Sequence, residues 1–348
     1  MPQYYDENTK TWYCKFNYTD WTGQKKQKMK RGFAKKKDAK DWETKFIASR
    51  KYDSQTTIGT ITVDYLEEIT PRRRCTTISM YRNAFKNHIN PYFADLPLSA
   101  LTEKHIVEWQ NTLLSSGLAD TYIHKLDTIF RTVYAFGARR CKIIDNPFDH
   151  LEKVGKGRAD DMNFWTLEQY RSFISQIKDP VTFMCFEILY YTGIRLGELI
   201  PLTAADADTR NGILHINKSL QRVNREDIIT PPKTQKGIRD IVLPRFLCDE
   251  IEEYKSHLYG ITDSTRLFEI SKCALYYPMK KYAALAGVPA IRIHDLRHSH
   301  VALLIEHNVS PLVIAERLGH ESIDITLGTY GHLYPNKQKE VADILDNL

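Results

Sequence analysis

Six side chains in the second half of the sequence together carry the chemistry needed to cut a phosphodiester without a metal ion. They are two guanidiniums, one ammonium, two imidazoles and one phenol, namely Arg195, Arg297, Lys233, His294, His320 and Tyr330. A phosphodiester under attack gathers negative charge on its non-bridging oxygens, and the planar, permanently charged donors of two arginines suit that charge best. A phenol can be the attacking group because its pKa of about 10 makes it easier to deprotonate than a serine hydroxyl. A histidine can accept the phenol proton, and a lysine can give a proton to the departing sugar oxygen.

The order and spacing of these residues are more informative than any one of them. The motifs are TGIRLGEL with Arg195, HDLRHSH with His294 and Arg297, and ERLGH with His320, followed ten residues later by Tyr330. Taken singly, an arginine is usually a surface charge, a histidine is usually structural, and Tyr330 is one of 20 tyrosines. Tyr334 is the nearest alternative nucleophile, because YGHLYP holds both phenols.

These motifs resemble those of the tyrosine recombinases, also called the phage integrase family. TGIRLGEL is similar to the box of the family's first arginine, HDLRHSH to its H-x-x-R box, and ERLGH to the box that precedes the nucleophile. The resemblance implies that Tyr330 becomes joined to the DNA 3′ end while a 5′ hydroxyl leaves. It implies that Arg195, Arg297 and His320 hold the phosphate and that His294 assists proton transfer at the tyrosine. Because the phosphotyrosine keeps the bond energy, neither ATP nor a metal or other cofactor is implied.

The leaving-group acid is predicted to lie on a turn. ILHINKSL, EDIITPPKTQ and RDIVLP are typical of one small antiparallel sheet, and Lys233 follows two prolines between the last two strands. A turn allows the side chain to swing into the minor groove once DNA is bound. Lys236 is the competing candidate, because the alignment of a turn shifts easily. The resemblance also implies that Glu198, three residues after Arg195, braces that guanidinium.

Length and composition limit the class of protein. The 348 residues suit two or three domains, and the net charge of +6 permits an acidic partner. No apolar run approaches the roughly 18 residues of a membrane span, and MPQYYDENTK contains no apolar signal region. The six cysteines are scattered, as in a reduced cytoplasmic protein. We therefore expect a cytoplasmic, nucleoid-associated bacterial protein without a membrane partner.

Residues 1–54 are predicted to form a small basic module of three strands and a helix. Through residue 50 the chain has 13 Lys and Arg against 6 Asp and Glu. Basic residues interleaved with aromatic ones suit a phosphate backbone, and the segment resembles the arm-binding domain of some phage and conjugative-transposon integrases. The expected phosphate contacts are Lys25, Lys26, Lys28, Lys30 and Arg31. A solubilising appendage is the alternative interpretation.

Residues 55–152 are predicted to be helical, after a polar linker at 54–60. Four segments carry apolar residues at the i, i+3 and i+4 spacing of amphipathic helices. This module resembles the family's SAM-like core-binding domain, which clamps one side of the duplex. The candidate backbone contacts are Arg72, Arg73, Arg74 and Arg82. Each could equally belong to a solvated charged face.

Residues 153–348 are predicted to form the catalytic domain, a mixed α+β unit in a chain that is mainly α with small β-sheets. Thr166 is expected to cap its first helix, and a buried helix is expected to end at Gly193. In the tail, four residues fall at helical spacing and predict an apolar stripe, namely Val341, Ile344, Leu345 and Leu348. The stripe would pack on its own domain or, as the resemblance implies, on a neighbouring protomer.

The sequence therefore predicts a site-specific DNA recombinase that integrates or excises a prophage or conjugative transposon. Its partners are expected to be double-stranded DNA at core and arm-type sites, with four protomers on two duplexes. An excision factor or a DNA-bending protein is a further expected partner. Two alternatives stay open at this point: a type IB topoisomerase-like enzyme that relaxes DNA, and a DNA-binding regulator without catalysis.

Overall fold

The computed structural model describes residues 3–7, 9–19, 25–48, 53, 55–157, 162–223, 226–232 and 234–334. The chain divides into two compact units, Met1–Ala159 and Asp160–Leu348. Among the described residues, none of the helices is both long and apolar enough to span a bilayer. Lys233 and the tail 335–348, with its predicted apolar stripe, lie outside the described residues.

The N-terminal module is a three-stranded antiparallel sheet packed on one helix, as predicted. The strands β1 (Gln3–Asp6), β2 (Thr11–Thr19) and β3 (Lys25–Phe33) lie in sequence order, and α1 (Lys36–Ala48) follows. Because side chains alternate along a strand, Cys14 and Phe16 point to one face, where they are buried with Ala39 of α1. The register of β2 and β3 shifts between Trp12 and Cys14, which marks a bulge.

The rest of the first unit is helical, which confirms the predicted periodicity. Its helices are α2 (Ile58–Ile69), α3 (Cys75–Ala84), α4 (Asn90–Phe93), α5 (Glu103–Ser115) and α6 (Asp120–Cys141), with a π-helical turn at Phe85–Ile89. Helix α2 begins inside the predicted linker, because the Thr57 side chain caps it by accepting from the Thr60 backbone N–H. Aromatic rings form the centre of the core, where Phe130 lies 4.9 Å from Phe93 and 5.2 Å from Trp109 between ring centroids.

The second unit is built mainly from helices around one large apolar core and a smaller apolar cluster. They are α7 (Leu167–Ile174), α8 (Pro180–Thr192), α9 (Leu196–Leu199), α10 (Arg245–Ser256), α11 (Tyr276–Ala286), α12 (Asp295–Glu306), α13 (Pro311–Leu318) and α14 (Ile323–Tyr330). Thr166 caps α7 in a capping box with Gln169, as predicted. Helix α8 is buried along most of its length and ends at Gly193, also as predicted. Its burial fixes the position of the loop that follows.

The strands of the second unit form two sheets, and the prediction of a single sheet was wrong. One sheet joins β4 (Ala207–Asp208), β5 (Ile213–Ile216) and β8 (Arg239–Val242), and the other joins β6 (Ser219–Val223) and β7 (Glu226–Thr230). The chain leaves the first sheet at Asn217 and Lys218, whose side chains both bind the Asp206 carboxylate. These two contacts lie between β5 and β6, which follow each other in sequence but belong to different sheets.

Candidate active site

Two helix ends build the floor of the candidate site. Helices α8 and α13 both end at a glycine with a left-handed backbone, Gly193 and Gly319, each with φ of 67°. A β-carbon on Gly193 would lie 2.6 Å from the His300 ring, and one on Gly319 would lie 2.6 Å from the Lys236 carbonyl oxygen. Both positions therefore require glycine for conformation and for space. The unpaired carbonyls at these helix ends carry partial negative charge.

Arg297 joins the two helix ends. Its Nη1 donates to the Gly193 carbonyl at 2.8 Å and its Nη2 donates to the Leu318 carbonyl at 2.9 Å. The residue is only 3% exposed, and burial, with Arg195 nearby, lowers the pKa of its guanidinium. A guanidinium nevertheless keeps its charge at neutral pH. Because neutral carbonyls hold Arg297, its full positive charge stays available to an incoming phosphate.

Arg195 is held by a carboxylate. It precedes the short helix α9, and its Nη1 donates to Glu198 Oε1 at 2.8 Å while 44% of its side chain stays exposed. Glu198 also accepts from Arg239 Nη2 at 3.0 Å. Burial acts to raise the pKa of Glu198, but Arg239 and Arg195 lower it below its ordinary value. The arrangement fits the predicted brace for Arg195, and it adds Arg239, which is 41 residues from Glu198 in sequence.

Two neutral imidazoles, those of His320 and His294, lie close to the arginines. His320 Nδ1 lies 2.7 Å from the buried Thr326 hydroxyl, which fixes the ring. Burial, followed by the charges of Arg297 and Arg195, lowers the pKa of His320 to about 4. His294 directly precedes α12, and desolvation together with His298 lowers its pKa to about 4. Both rings are therefore uncharged at neutral pH.

Tyr330 ends α14 and is 2% exposed. Burial raises the pKa of its phenol to about 12, although Arg297 and Arg195 act in the opposite direction. The phenol hydroxyl lies 2.7 Å from Nδ1 of His298, so the hydrogen bond it makes is to a residue that the sequence analysis did not single out. The signal was present, because His298 follows Arg297 directly and lies four residues after His294, one helical turn away.

The two candidate acids differ in what the structure describes. Lys236 donates from Nζ to the Glu321 carbonyl at 3.0 Å, beside His320. That bond ties the turn after β7 to the loop that precedes α14. Lys233 lies outside the described residues, so its role remains a prediction.

Comparison with known proteins places the chain in a family. The sequence profile of the phage integrase family matches residues 164–337. The ICEBs1 integrase of Bacillus subtilis is 32% identical over 276 residues, which cover 75% of this chain and 75% of that protein. The chain belongs to the phage integrase family. It is a site-specific tyrosine recombinase of the kind carried by mobile elements.

Further matches agree along the rest of the recombinase. An arm DNA-binding domain profile matches residues 2–49, and an N-terminal SAM-like phage integrase profile matches residues 57–114. The Tn1549 transposon integrase in complex with a circular intermediate DNA has a TM-score of 0.68 at 21% identity, over 84% of this chain and 98% of that one. A lambda integrase tetramer bound to a Holliday junction has a TM-score of 0.59 at 18% identity, over 92% and 96% of the two chains. These solved structures establish the fold.

The predicted DNA contacts of the recombinase lie on its surface wherever their side chains are described. Arg72, Arg73, Arg74 and Arg82 are exposed around the turn between α2 and α3 and on α3 itself. In the N-terminal module Lys28, Lys30 and Arg31 are exposed, whereas the side chains of Lys25 and Lys26 lie outside the described residues.

The basic residues of β3 do not form a single surface. Lys30 Nζ lies 4.8 Å from the centroid of the Trp42 ring on the helix side, and the Arg31 guanidinium lies 5.5 Å from the Tyr13 ring. Lys30 pairs with Cys14 in the register, so Arg31, the next residue of the strand, faces the opposite side of the sheet, as Tyr13 does. Lys15 is exposed beside Met29 in the strand register and was not among the predicted contacts.

Proposed function

We propose that this recombinase cuts and rejoins DNA strands through a covalent 3′-phosphotyrosine at Tyr330, and so integrates and excises a mobile element. One observation supports this most directly. Segments that lie far apart in sequence bring two guanidiniums, two imidazoles and a phenol around the ends of α8 and α13. The guanidiniums act on the phenol and on both rings, so the five groups form one electrostatic unit.

Each group has a distinct task in the proposed reaction. Arg195, Arg297 and His320 bind the non-bridging oxygens, where charge develops as the phenol oxygen attacks. His294 stands on the proton-transfer side of the site. Lys233 gives its proton to the 5′ oxygen as that oxygen leaves, and Lys236 remains the alternative acid. A hydroxyl from the partner strand then attacks the phosphotyrosine and releases Tyr330.

Three parts of the chain share the work on DNA. Residues 1–54 would read arm-type sites, residues 55–152 would clamp the core site, and residues 153–348 would clamp its other side and perform the chemistry. The matches to arm DNA-binding and SAM-like profiles support this division. Exposed cations on β3 and at the α2–α3 turn suit phosphate contacts.

Strand exchange between two duplexes requires several copies of the enzyme. The lambda integrase tetramer on a Holliday junction supports a homotetramer on two duplexes for this chain. Its tail, beyond residue 334, would dock on the neighbouring protomer and close the ring. An excision factor or a DNA-bending protein would set the direction of the reaction. The site of action would be the bacterial nucleoid, where the DNA lies.

Substitution of the nucleophile tests the proposal. Tyr330→Phe removes the attacking oxygen and little else, so the protein should bind a core site normally and form no adduct stable to SDS. Tyr334→Phe is the matched control, because the Tyr334 hydroxyl makes no hydrogen bond with the described residues and its loss should cost little. An adduct that persists in Tyr330→Phe and disappears in Tyr334→Phe would overturn the assignment.

The two alternative functions make different predictions on the same substrates. A topoisomerase-like enzyme would relax supercoiled DNA without exchanging strands between paired sites, and a regulator would form no adduct at all. The integrases and recombinases to which the chain is similar favour strand exchange.

A further inference from the structure

The nucleophile of the recombinase is hydrogen-bonded to a histidine that lies outside the six-residue catalytic set. The Tyr330 hydroxyl and His298 Nδ1 lie 2.7 Å apart, and the two ring centroids are 5.5 Å apart. His294 meets the His298 ring edge-on at 5.3 Å between centroids. His298 therefore stands in direct contact with the oxygen that reacts, and His294 stands behind it.

A carboxylate on the far side of His298 favours the tautomer in which Nδ1 can accept a proton. Asp295 Oδ1 lies 4.0 Å from His298 Nε2. A negative charge there favours the tautomer with hydrogen on Nε2, which leaves the lone pair of Nδ1 directed at the phenol. The sequence of phenol, imidazole and carboxylate follows the logic of a nucleophile, its base and an orienting acid.

Asp295 is itself held in place. It is fully buried, and its carboxylate accepts from the backbone N–H of Arg292 at 2.8 Å. The Arg292 side chain donates two further hydrogen bonds to Asp295 Oδ1, from Nε at 3.1 Å and from Nη2 at 2.8 Å. A side chain fixed by this many bonds can stabilise an imidazolium without moving, which is what an orienting carboxylate must do.

We propose that His298 is the general base of the reaction and takes the phenol proton directly from Tyr330. This inference rests on the proposed function. The Oη–H bond breaks and an Nδ1–H bond forms, while the Oη–P bond forms and the P–O5′ bond breaks. The leaving oxygen takes its proton from the lysine acid. In the rejoining step the incoming 5′ hydroxyl gives its proton to that lysine, and the His298 imidazolium returns its proton to the released phenolate.

The electrostatics of the resting site agree with this direction of transfer. Burial lowers the pKa of His298; Asp295 opposes that effect, and Arg292 and Arg297 add to it. The ring is therefore neutral and able to accept a proton at neutral pH. The phenol, with its pKa raised to about 12, keeps its proton until attack. His294 on one side and Tyr330 of α14 on the other complete the titratable groups described around the ring.

The test uses an asparagine in place of the base, in the full-length protein. In His298→Asn the amide oxygen can occupy the place of Nδ1 and hold the phenol, but it cannot take a proton. We expect the rate of adduct formation on a nicked suicide substrate to fall at least ~100-fold at pH 7. We also expect that rate to rise about tenfold per pH unit, because only the phenolate fraction would still react.

Two results would overturn the proposal. One is a His298→Asn protein that reacts near the wild-type rate with the wild-type pH profile, which would reduce His298 to a positioning residue. The other is a steep pH profile that appears in His294→Asn but not in the His298 variants. His298→Gln provides a second measurement if the asparagine variant melts at a much lower temperature, and binding to the core site shows that each variant is folded.

A more acidic nucleophile gives a separate readout. A fluorinated tyrosine incorporated at position 330 should restore adduct formation in His298→Asn, because its phenol ionises without help. The fluorinated tyrosine should not restore adduct formation in Arg195→Lys, because that variant is defective in stabilising the charge on the phosphate. Equal restoration of adduct formation in the two variants would contradict the proposal. Tyr330→Phe run alongside separates the two levels of inference. An adduct in that variant would overturn the proposed function itself, whereas a failure confined to His298 leaves the proposed function intact.

Discussion

The N-terminal sheet and the catalytic unit present positive charge to DNA in opposite ways. On the sheet the cations are exposed and lie over aromatic rings, as Lys30 does over Trp42 and Arg31 over Tyr13. In the catalytic unit Arg297 is buried and bonded to the carbonyls of two helix ends. The first arrangement provides affinity that adds up charge by charge and weakens with salt. The second provides geometry, so its members cannot be replaced by an equal charge.

Arg297→Lys should give the largest effect that this contrast predicts. An ammonium keeps the charge but cannot reach two carbonyls and a phosphate at once. We expect adduct formation to fall ~1,000-fold and the free energy of unfolding to fall by about 2–4 kcal/mol, measured on a suicide substrate and by denaturant titration. Arg195→Lys is the matched control. It should lose comparable activity with little loss of stability, because Glu198 keeps Arg239 as a partner. Equal losses of stability in Arg195→Lys and Arg297→Lys would contradict the structural role given to Arg297.

Lys233 has a third role in the proposed reaction, because it would give a proton to the leaving 5′ oxygen. Lys233→Ala should lose at least ~100-fold in cleavage of an ordinary phosphodiester and regain it on a 5′-phosphorothiolate, whose sulfur leaves without a proton. Lys236→Ala should show a smaller defect that is equal on both substrates, because it removes the tie to the Glu321 carbonyl. The reverse pattern would transfer the acid role to Lys236.

Neutralising charge on the sheet should have a graded effect. Arg31→Gln and Lys28→Gln should each weaken binding to arm-type DNA several-fold and reduce the salt dependence by about one unit of slope. Lys37→Gln on α1 makes the same change of charge on the helix and serves as the control. Cleavage of a short core site should be unchanged even when residues 1–54 are deleted. If the truncated protein recombines full-length sites normally, the proposal that residues 1–54 bind arm-type DNA is contradicted.

The smallest effect concerns pH and stability. Burial lowers the pKa of His300 to about 3, so the unfolded chain binds a proton there as pH falls below 6.5 while the folded chain does not. The pKa values of His294, His298 and His320 shift in the same direction, and Glu187, with a pKa raised to about 7, opposes them. Stability should therefore decrease between pH 6.5 and pH 5, by several degrees in Tm.

The same experiment has an internal control. His300→Gln can still accept from Arg317 Nε, which lies 3.1 Å from His300 Nε2, and it should reduce the pH dependence of Tm. His257→Gln, at an exposed ring, should leave the dependence as in the wild type. A profile that is unchanged in His300→Gln would contradict the role given to the buried ring.

The parts of the fold that could be predicted from sequence are those that local patterns determine. Apolar spacing located the long helices, and Thr166 and Gly193 marked helix ends because capping uses residues within one turn. The motif residues were recognisable because each motif is short. Their placement at shared helix ends followed from packing that no motif contains.

What could not be predicted depends on partners far away in sequence. The bond between Tyr330 and His298 spans 32 residues, and that between Arg239 and Glu198 spans 41. The division of the strands into two sheets occurs at Asn217 and Lys218, whose side chains contact the Asp206 carboxylate 11 residues away from Asn217. The shift in register between β2 and β3, which pairs Trp12 with Phe33 where a regular ladder would pair it with Gly32, is also absent from the sequence pattern.

The two carbonyl bonds of Arg297 have a consequence for how inactive forms of this recombinase behave in a cell. They join segments 104 and 21 residues away, so a change at Arg297 should loosen the domain and, under the proposed function, should also stop the chemistry. Such an allele would lower the steady-state amount of protein through proteolysis. Its phenotype would therefore reflect both a lower amount of protein and a loss of activity. Tyr330→Phe instead leaves an abundant, well-folded protein on the DNA. It should therefore act as a dominant inhibitor when expressed beside the wild type, which the Arg297 allele should not.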